Sequence, residues 1–361
     1  MMFERIQVIR EVNGDHNIIV NGDLCCDSLA LEKVAQQFLE KEIEKMTSEA
    51  QVIMRDAVHN CVTCITEKIL DNHLQDKIIE FTSPAVQYAY YATLRGYAFS
   101  ETIEQREFIV DAFIERIQKG WKSVDKLVLD DVLEVLPKLT PQALALLGLL
   151  QLRHQVNLTS IFLDSYFKNL NTLVETVDSI ESIDIEYLKQ IRILLPVPGI
   201  RPIVSLEETL LYQYDLFFRH PILASAFDNY CRENPEALQG IKFLNVDTKM
   251  MYALDSKREY LKFLVANSQH FKEHLQKINL GYMIPHVETL KNMMPAFTKE
   301  ELRDYFIKLS PSWEQLFTLF ESDSIRTSYM SMVGFYIGGK VLAKVSHSNV
   351  PLPINNYRLF K

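Results

Sequence analysis

The sequence predicts a mainly α-helical protein with a β-hairpin at its N-terminus. Only 11 of its 361 residues are Gly and 13 are Pro, which favours long helices. Apolar residues recur at spacings of three and four through most of the chain, the pattern of helices with one buried face. The stretch Asn13–Leu24 is different, because it repeats Asn-Gly-Asp around a β-branched run.

The N-terminal stretch has the residues of a hairpin. Asn13-Gly14-Asp15 and Asn21-Gly22-Asp23 are turn signals, since Asn and Gly tolerate the positive φ of tight hairpin turns. The β-branched segments Ile6–Val12 and Ile18–Val20 alternate with these turns. We therefore predict a hairpin within residues 1–27.

An isolated hairpin is marginal in water and has open edges, so it needs a partner surface. One interpretation is that it folds onto its own helical body. Another is that hairpins of several copies pair or stack, which makes residues 1–27 an oligomerisation segment. An amyloid-like signalling segment is a third, although the charges of Asp15 and Asp23 oppose it.

A long helix is predicted to follow directly, over residues 28–80. Between residue 28 and Asp71 there is no Pro or Gly. Its apolar or small residues form a seam at Leu39, Ile43, Met46, Ala50, Ile53, Ala57, Cys61 and Cys64. The seam fits either a contact between copies or packing inside one body. The predicted oligomerisation residues are Asn13, Gly14, Asp15, Ile18, Val20, Asn21, Gly22, Asp23, Leu39, Ile43, Met46 and Ile53.

Two helical parts are predicted beyond this helix, a bundle over residues 81–195 and a C-terminal domain over 203–361. Ala143–Val156 is apolar nearly all round, which is typical of a central buried helix. Three Pro and one Gly in Leu195–Pro202 mark the boundary between the two parts. Within the second, Ser205–Phe218, Asp255–Ile278 and Lys299–Lys308 are predicted helices.

The C-terminal residues have the order of a small winged-helix-like part. A helix from Ser310 through Phe320 is followed by a short strand within Ile325–Met332 and a last helix over Val333–Val345. Gly334, Gly338 and Gly339 on that last helix would cost stability unless another backbone lies close. We therefore expect a close-packed helix face there.

Composition restricts the function classes. A net charge of −9 argues against broad electrostatic binding to nucleic acid or to an anionic membrane. Five Cys without a paired framework, no signal peptide and no apolar stretch long enough to span a membrane indicate a reducing cytoplasm.

Motifs for cofactors or catalysis are weak. Cys61-Val62-Thr63-Cys64, after His59, is a single CxxC with helical flanks, so core thiols are expected. His270 and His274 share a helix face without completing a metal motif, and we expect that face to be solvated. Asp130, Asp131 and Glu134 are expected near a helix start. We predict no catalytic residue, metal or cofactor.

The layout resembles a poorly characterised bacterial family. The resemblance rests on Asn13–Leu24, on the helix start Thr82-Ser83-Pro84, on Met330–Gly338 and on the tail Pro351–Ile354. The third segment is similar to the family's Leu-Thr-x-x-Gly-x-x-Ile-Gly, with Met330-Ser331 in place of Leu-Thr. The resemblance implies a role in defence against phage.

These observations favour a self-assembling, non-enzymatic cytoplasmic protein that acts as a sensor or scaffold. Its predicted partners are copies of itself or another protein, with no nucleic acid and no membrane. One alternative is a nuclease or hydrolase whose site is built from scattered residues. Another is a DNA-binding regulator that uses the winged-helix-like C-terminus.

Overall fold

The fold is mainly α-helical, with only short antiparallel strands, as a computed structural model shows. The structure describes residues 28–43, 46–119, 124–153, 160–197, 203–237, 239–240, 251–253, 259–263 and 265–346. The predicted hairpin, with Asn13–Asp23, lies outside the described residues. The chain divides into two compact units, Met1–Thr140 and Pro141–Lys361, rather than at the Pro-rich segment after residue 195.

The described part of unit 1 consists of five α-helices and two 3-10 segments. They are α1 (Ser28–Ile43), α2 (Ser48–Asp71), a 3-10 segment (Gln75–Thr82), α3 (Pro84–Phe99), α4 (Ile103–Gln118), α5 (Val124–Val135) and a second 3-10 segment (Leu136–Lys138).

The predicted unbroken helix from residue 28 is wrong, because α1 ends at Ile43 and Thr47 starts α2. The Thr47 hydroxyl accepts a hydrogen bond from the Ala50 amide at 3.4 Å, the position of an N-cap. Gln51 Nε2 donates to the carbonyl oxygens of Ile43 and Met46, each at 3.1 Å. The Thr47 side chain caps the start of α2, and the Gln51 side chain bonds carbonyl groups at and just after the end of α1. These side chains allow the helix to break here without Pro or Gly.

The core of unit 1 forms between α2, α3 and α4 around three aromatic rings. Phe81, Tyr90 and Phe113 have centroid distances of 5.4, 5.8 and 5.5 Å. Each of them is less than 4% exposed. Such packing contributes about 0.5–1.5 kcal/mol per aromatic pair beyond the burial of apolar area.

Two ion pairs fasten α5 to this core. Arg116 Nε donates to Asp130 Oδ1 at 2.6 Å, and Lys126 Nζ donates to Glu80 Oε2 at 3.4 Å. Asp130 and Glu134 lie in the second half of α5, so the expectation that they lie near a helix start is wrong. Asp130 serves instead as the counter-ion of a buried arginine.

The described part of unit 2 alternates short helices with five short strands. Its elements are α6 (Pro141–Leu150), a 3-10 segment (Gln151–Arg153), α7 (Ser160–Asn169), α8 (Asn171–Val177), α9 (Ser182–Gln190), β1 (Leu194–Pro196), α10 (Leu206–Gln213), β2 (Ile222–Leu223), α11 (Ala224–Glu233), β3 (Met251–Ala253), β4 (Tyr260–Phe263), α12 (Ser268–Lys277), a 3-10 segment (Gly281–Met283), α13 (Ile284–Asn292), α14 (Lys299–Leu309), α15 (Ser312–Glu321), α16 (Asp323–Arg326), β5 (Ser328–Met330) and α17 (Met332–Ser346).

Helix α17 packs closely on α6, which confirms the expected close-packed glycine face. A Cβ added at Gly338 would lie 2.3 Å from the carbonyl oxygen of Leu147, and one at Gly334 would lie 2.9 Å from that of Ile193. Gln151 Nε2 also donates to the Phe335 carbonyl at 2.8 Å. Only glycine allows this approach, which explains residues that are otherwise costly in a helix. The burial of α6 is confirmed as well.

The strands of unit 2 join distant parts of its sequence. β1 pairs antiparallel with β5, with Leu194 opposite Met330, and β4 lies between β2 and β3. The predicted strand within Ile325–Met332 is therefore confirmed, but its partner is β1 rather than a wing of its own. This pairing holds the start of the Pro-rich segment inside unit 2.

The predicted helix over Asp255–Ile278 is wrong in its first half. Tyr260–Phe263 form β4, and α12 begins only at Ser268. Asn267 caps α12, since its side-chain oxygen accepts from the His270 amide at 3.0 Å. Cross-strand pairing of β4 with two neighbours replaces the local helical bonds. Within the described residues, no helix is long and apolar enough to cross a membrane.

Candidate functional site

The candidate site is an open groove of about 880 Å³ in unit 1. It lies between the end of α1, one face of α3 and the end of α5 with the 3-10 segment that follows. A volume of this order is typical of ligand or peptide sites. The aromatic and proline residues that line it are Phe38, Pro84, Tyr88, Tyr91, Phe99 and Pro137.

Close packing of α3 against the 3-10 segment positions the groove. A Cβ at Gly96 would lie 2.6 Å from Pro137 Cγ, so this glycine lets the two elements touch. Tyr88, Tyr91, Arg95 and Phe99 follow one another on α3 at spacings of three and four, and they therefore share a face. That face forms one wall of the groove.

The groove has both covered and exposed aromatic rings. Phe38, which is 6% exposed, contacts Tyr91, with ring centroids 5.5 Å apart. Tyr88 is 58% exposed and Phe99 is 53% exposed. Large rings that remain open to solvent are typical of a binding surface.

The rim of the groove has a cationic character. Lys41, Arg95 and Lys138 are exposed lining residues, and none of them forms an ion pair with another described residue. Of the acidic lining residues, Glu134 accepts a hydrogen bond from Tyr88 Oη at 2.6 Å. That hydrogen bond raises the pKa of Tyr88. Glu42 lies beside Lys41 and is half-buried.

Tyr91 brings a buried hydroxyl to the groove. Its Oη has no hydrogen-bond partner among the described residues. Burial raises the pKa of Tyr91 to about 12, so the hydroxyl keeps its proton at neutral pH. An unsatisfied buried hydroxyl costs roughly 1–3 kcal/mol. Because this oxygen is closed to solvent, Tyr91 contributes its ring rather than its hydroxyl to the surface of the groove.

The predicted oligomerisation residues of α1 and α2 lie in different environments. Ile43 is 7% exposed and packs inside the unit, whereas Leu39 and Met46 are half-buried. Ile53 is 66% exposed and Val52 beside it is 56% exposed. The seam residues Ala57 and Cys61 are buried, whereas Ile53 is not. The buried face of α2 consists of Met54, Ala57, Val58, Cys61, Val62, Ile65 and Ile69. The other predicted residues, Asn13–Asp23, lie outside the described residues.

Among the described residues, Cys61 of the CxxC motif is a core residue and the two histidines of α12 are at least partly exposed. Cys61 is fully buried in α2, and burial raises its thiol pKa. A thiol with a raised pKa is a poor nucleophile and a poor metal ligand. His274 on α12 is exposed and His270 is half-buried. Among the described residues, no group of three or more His, Cys, Asp or Glu could hold a metal ion.

One polar cluster of unit 2 resembles a serine–lysine site in composition. Lys291 Nζ donates to Asp215 Oδ2 at 2.6 Å and to Ser268 Oγ at 3.2 Å, and Ser268 Oγ donates to Asp215. The ion pair with Asp215 engages the Lys291 amine in a contact between elements of the fold. Ser268 is 7% exposed. The cluster therefore ties α12 and α13 to the segment after α10.

Sequence reasoning did not find the groove. On α3, Tyr90 faces the core while Tyr88 and Tyr91 line the groove. The available signal was the set Tyr88, Tyr91, Arg95 and Phe99, a second stripe beside the buried one. A helix with an aromatic stripe on each of two faces has one more apolar face than a single core contact requires.

Comparison with known proteins identifies a family. A protein-family model described only as ":-like" matches residues 29–355, and the chain therefore belongs to that family. The match begins after the Asn/Gly/Asp-rich stretch, and its description names no activity. No curated protein and no solved structure matches the chain.

Proposed function

We propose that this chain is a self-associating, non-catalytic binding protein that acts as a sensor or scaffold. The groove of unit 1 is the observation that carries the proposal. It combines exposed aromatic rings with three rim cations that form no ion pair with another described residue. These are features of a surface that binds another molecule.

Self-association is supported by the sequence before α1 and by the exposed pair on α2. The Asn-Gly-Asp repeat in residues 13–23 favours a hairpin with open edges. Val52 and Ile53 add an apolar surface in the same unit. A cytoplasmic location and a role in bacterial defence against phage, which the family resemblance implies, belong to this proposal.

The mass in solution tests the proposal. We expect the full chain to be an oligomer at micromolar concentration and a variant lacking residues 1–27 to be a monomer, by light scattering. A variant lacking residues 347–361 is the matched control, since it also removes a terminus outside the described residues, and it should keep the full mass. A monomeric full chain, or equal masses for the full chain and the variant without residues 1–27, contradicts the proposal.

A further inference from the structure

The groove of unit 1 and the Asn/Gly/Asp-rich stretch have complementary chemistry. We propose that residues 13–24 of a second copy of this chain bind in the groove, with Asp15 and Asp23 facing the rim cations. This inference rests on the proposed self-association and names the surface that mediates it.

Charge complementarity is the first argument. Lys41, Arg95 and Lys138 stand on the rim without an ion-pair partner among the described residues. Residues 13–24 carry Asp15 and Asp23 and contain no Lys or Arg. Carboxylates that meet exposed cations increase the association rate and specify the partner more than they add affinity.

The apolar parts of the two surfaces also correspond. Ile18, Ile19 and Val20 lie between the two acidic triplets in the sequence, and aromatic rings line the groove. Ile18 and Val20 would share one face of the predicted strand, and their burial against the rings would remove apolar area from water.

A second copy is the source of the segment because residues 1–27 are the proposed oligomerisation segment. Residues 13–24 bound within the same copy would leave the full chain monomeric, which the measurement below distinguishes.

Two full-chain variants test the inference, one with reversed charges on the groove and one with reversed charges in residues 13–24. Each is measured alone and then in a mixture with the other. We expect R95E/K138E and D15K/D23K each to weaken self-association at least tenfold, measured by analytical ultracentrifugation. An equimolar mixture of the two variants should associate again, because each surface then meets its opposite charge on the other copy. K277E/K308E, which reverses two exposed lysines of unit 2, is the matched control and should associate as the wild type does.

Different outcomes separate the inference from the proposed function. A monomeric wild type overturns both. An oligomeric wild type whose association survives R95E/K138E overturns the inference alone, as does a mixture of the two variants that stays dissociated. Circular dichroism and urea midpoints that match those of K277E/K308E show that each variant is folded.

Discussion

Two helices of this protein each use a glycine to approach a neighbour, and they end with opposite surfaces. In unit 2, Gly338 of α17 lies against the backbone of Leu147, and the adjacent Ile337 is fully buried. In unit 1, Gly96 of α3 lies against Pro137, but Tyr88 and Phe99 at either end of the helix remain more than half exposed. A glycine brings elements together in both places. What covers the remaining faces decides whether the helix becomes core or a binding surface.

The substitution Gly338→Ala should have the largest effect, because the added Cβ would lie 2.3 Å from a backbone oxygen that cannot move alone. We expect the free energy of unfolding to fall by about 3 kcal/mol. Urea unfolding measures it. Gly281→Ala is the control, since nothing lies within 4 Å of its added Cβ, and it should change stability by less than about 0.5 kcal/mol. Equal losses in both variants would show that α17 does not need this contact.

Adjacent residues of α2 give the next comparison. Met54 is 4% exposed and Ile53 is 66% exposed. We expect Met54→Ala to lower the free energy of unfolding by about 2–3 kcal/mol, and Ile53→Ala by less than about 0.5 kcal/mol. A loss in Ile53→Ala as large as that in Met54→Ala would assign the predicted seam to the core.

Gly96→Ala should have a smaller effect than Gly338→Ala, although both added Cβ atoms are too close to a neighbour. At Gly96 the neighbour is the Cγ of the Pro137 ring, a side-chain atom at the edge of an open groove. We expect a loss of about 1 kcal/mol in urea unfolding, because the ring can shift. A loss that equals that of Gly338→Ala would mean that the groove is packed as rigidly as the α6–α17 contact.

The substitution Tyr91→Phe should have the smallest effect on the free energy of unfolding, and that effect appears only at alkaline pH. Burial raises its pKa to about 12 from the ordinary value of 10.0, so the folded state holds the proton more tightly than the unfolded chain does. The corresponding stability is complete below pH 10 and is lost as the pH rises toward 12. We expect the urea midpoint of Tyr91→Phe to fall less steeply over this range than that of the wild type. Identical slopes would place Tyr91 in contact with solvent.

Much of unit 2 was accessible to sequence reasoning because its signals are local. The pairing Ser205–Glu208 forms a capping box at the start of α10, where a helix start was predicted. The glycines of α17 predicted a close neighbour, which is Leu147. The boundary in the Pro-rich segment could not be assigned correctly, because the pairing of Leu194 with Met330 joins residues far apart in the sequence.

Most of the candidate site could not be predicted for the same reason. Phe38, Tyr91 and Lys138 come from three separate elements, and no local pattern states that these elements meet. The predicted seam of α2 matches the buried face at Ala57 and Cys61, but it placed Ile53 on that face instead of Met54. On a helix of this composition two neighbouring faces are both apolar, and only packing selects one of them.

The amino-acid sequence by itself determined the mainly helical class, the capped helix starts and the need for a close neighbour at Gly338. Each follows from the backbone preferences of a few adjacent residues. The tertiary structure alone decided that Met54 rather than Ile53 of α2 is buried, which distant strands pair and which aromatic rings of α3 stay open as a groove. Those outcomes depend on how surfaces distant in the sequence compete to exclude water, and neighbouring residues do not encode that competition.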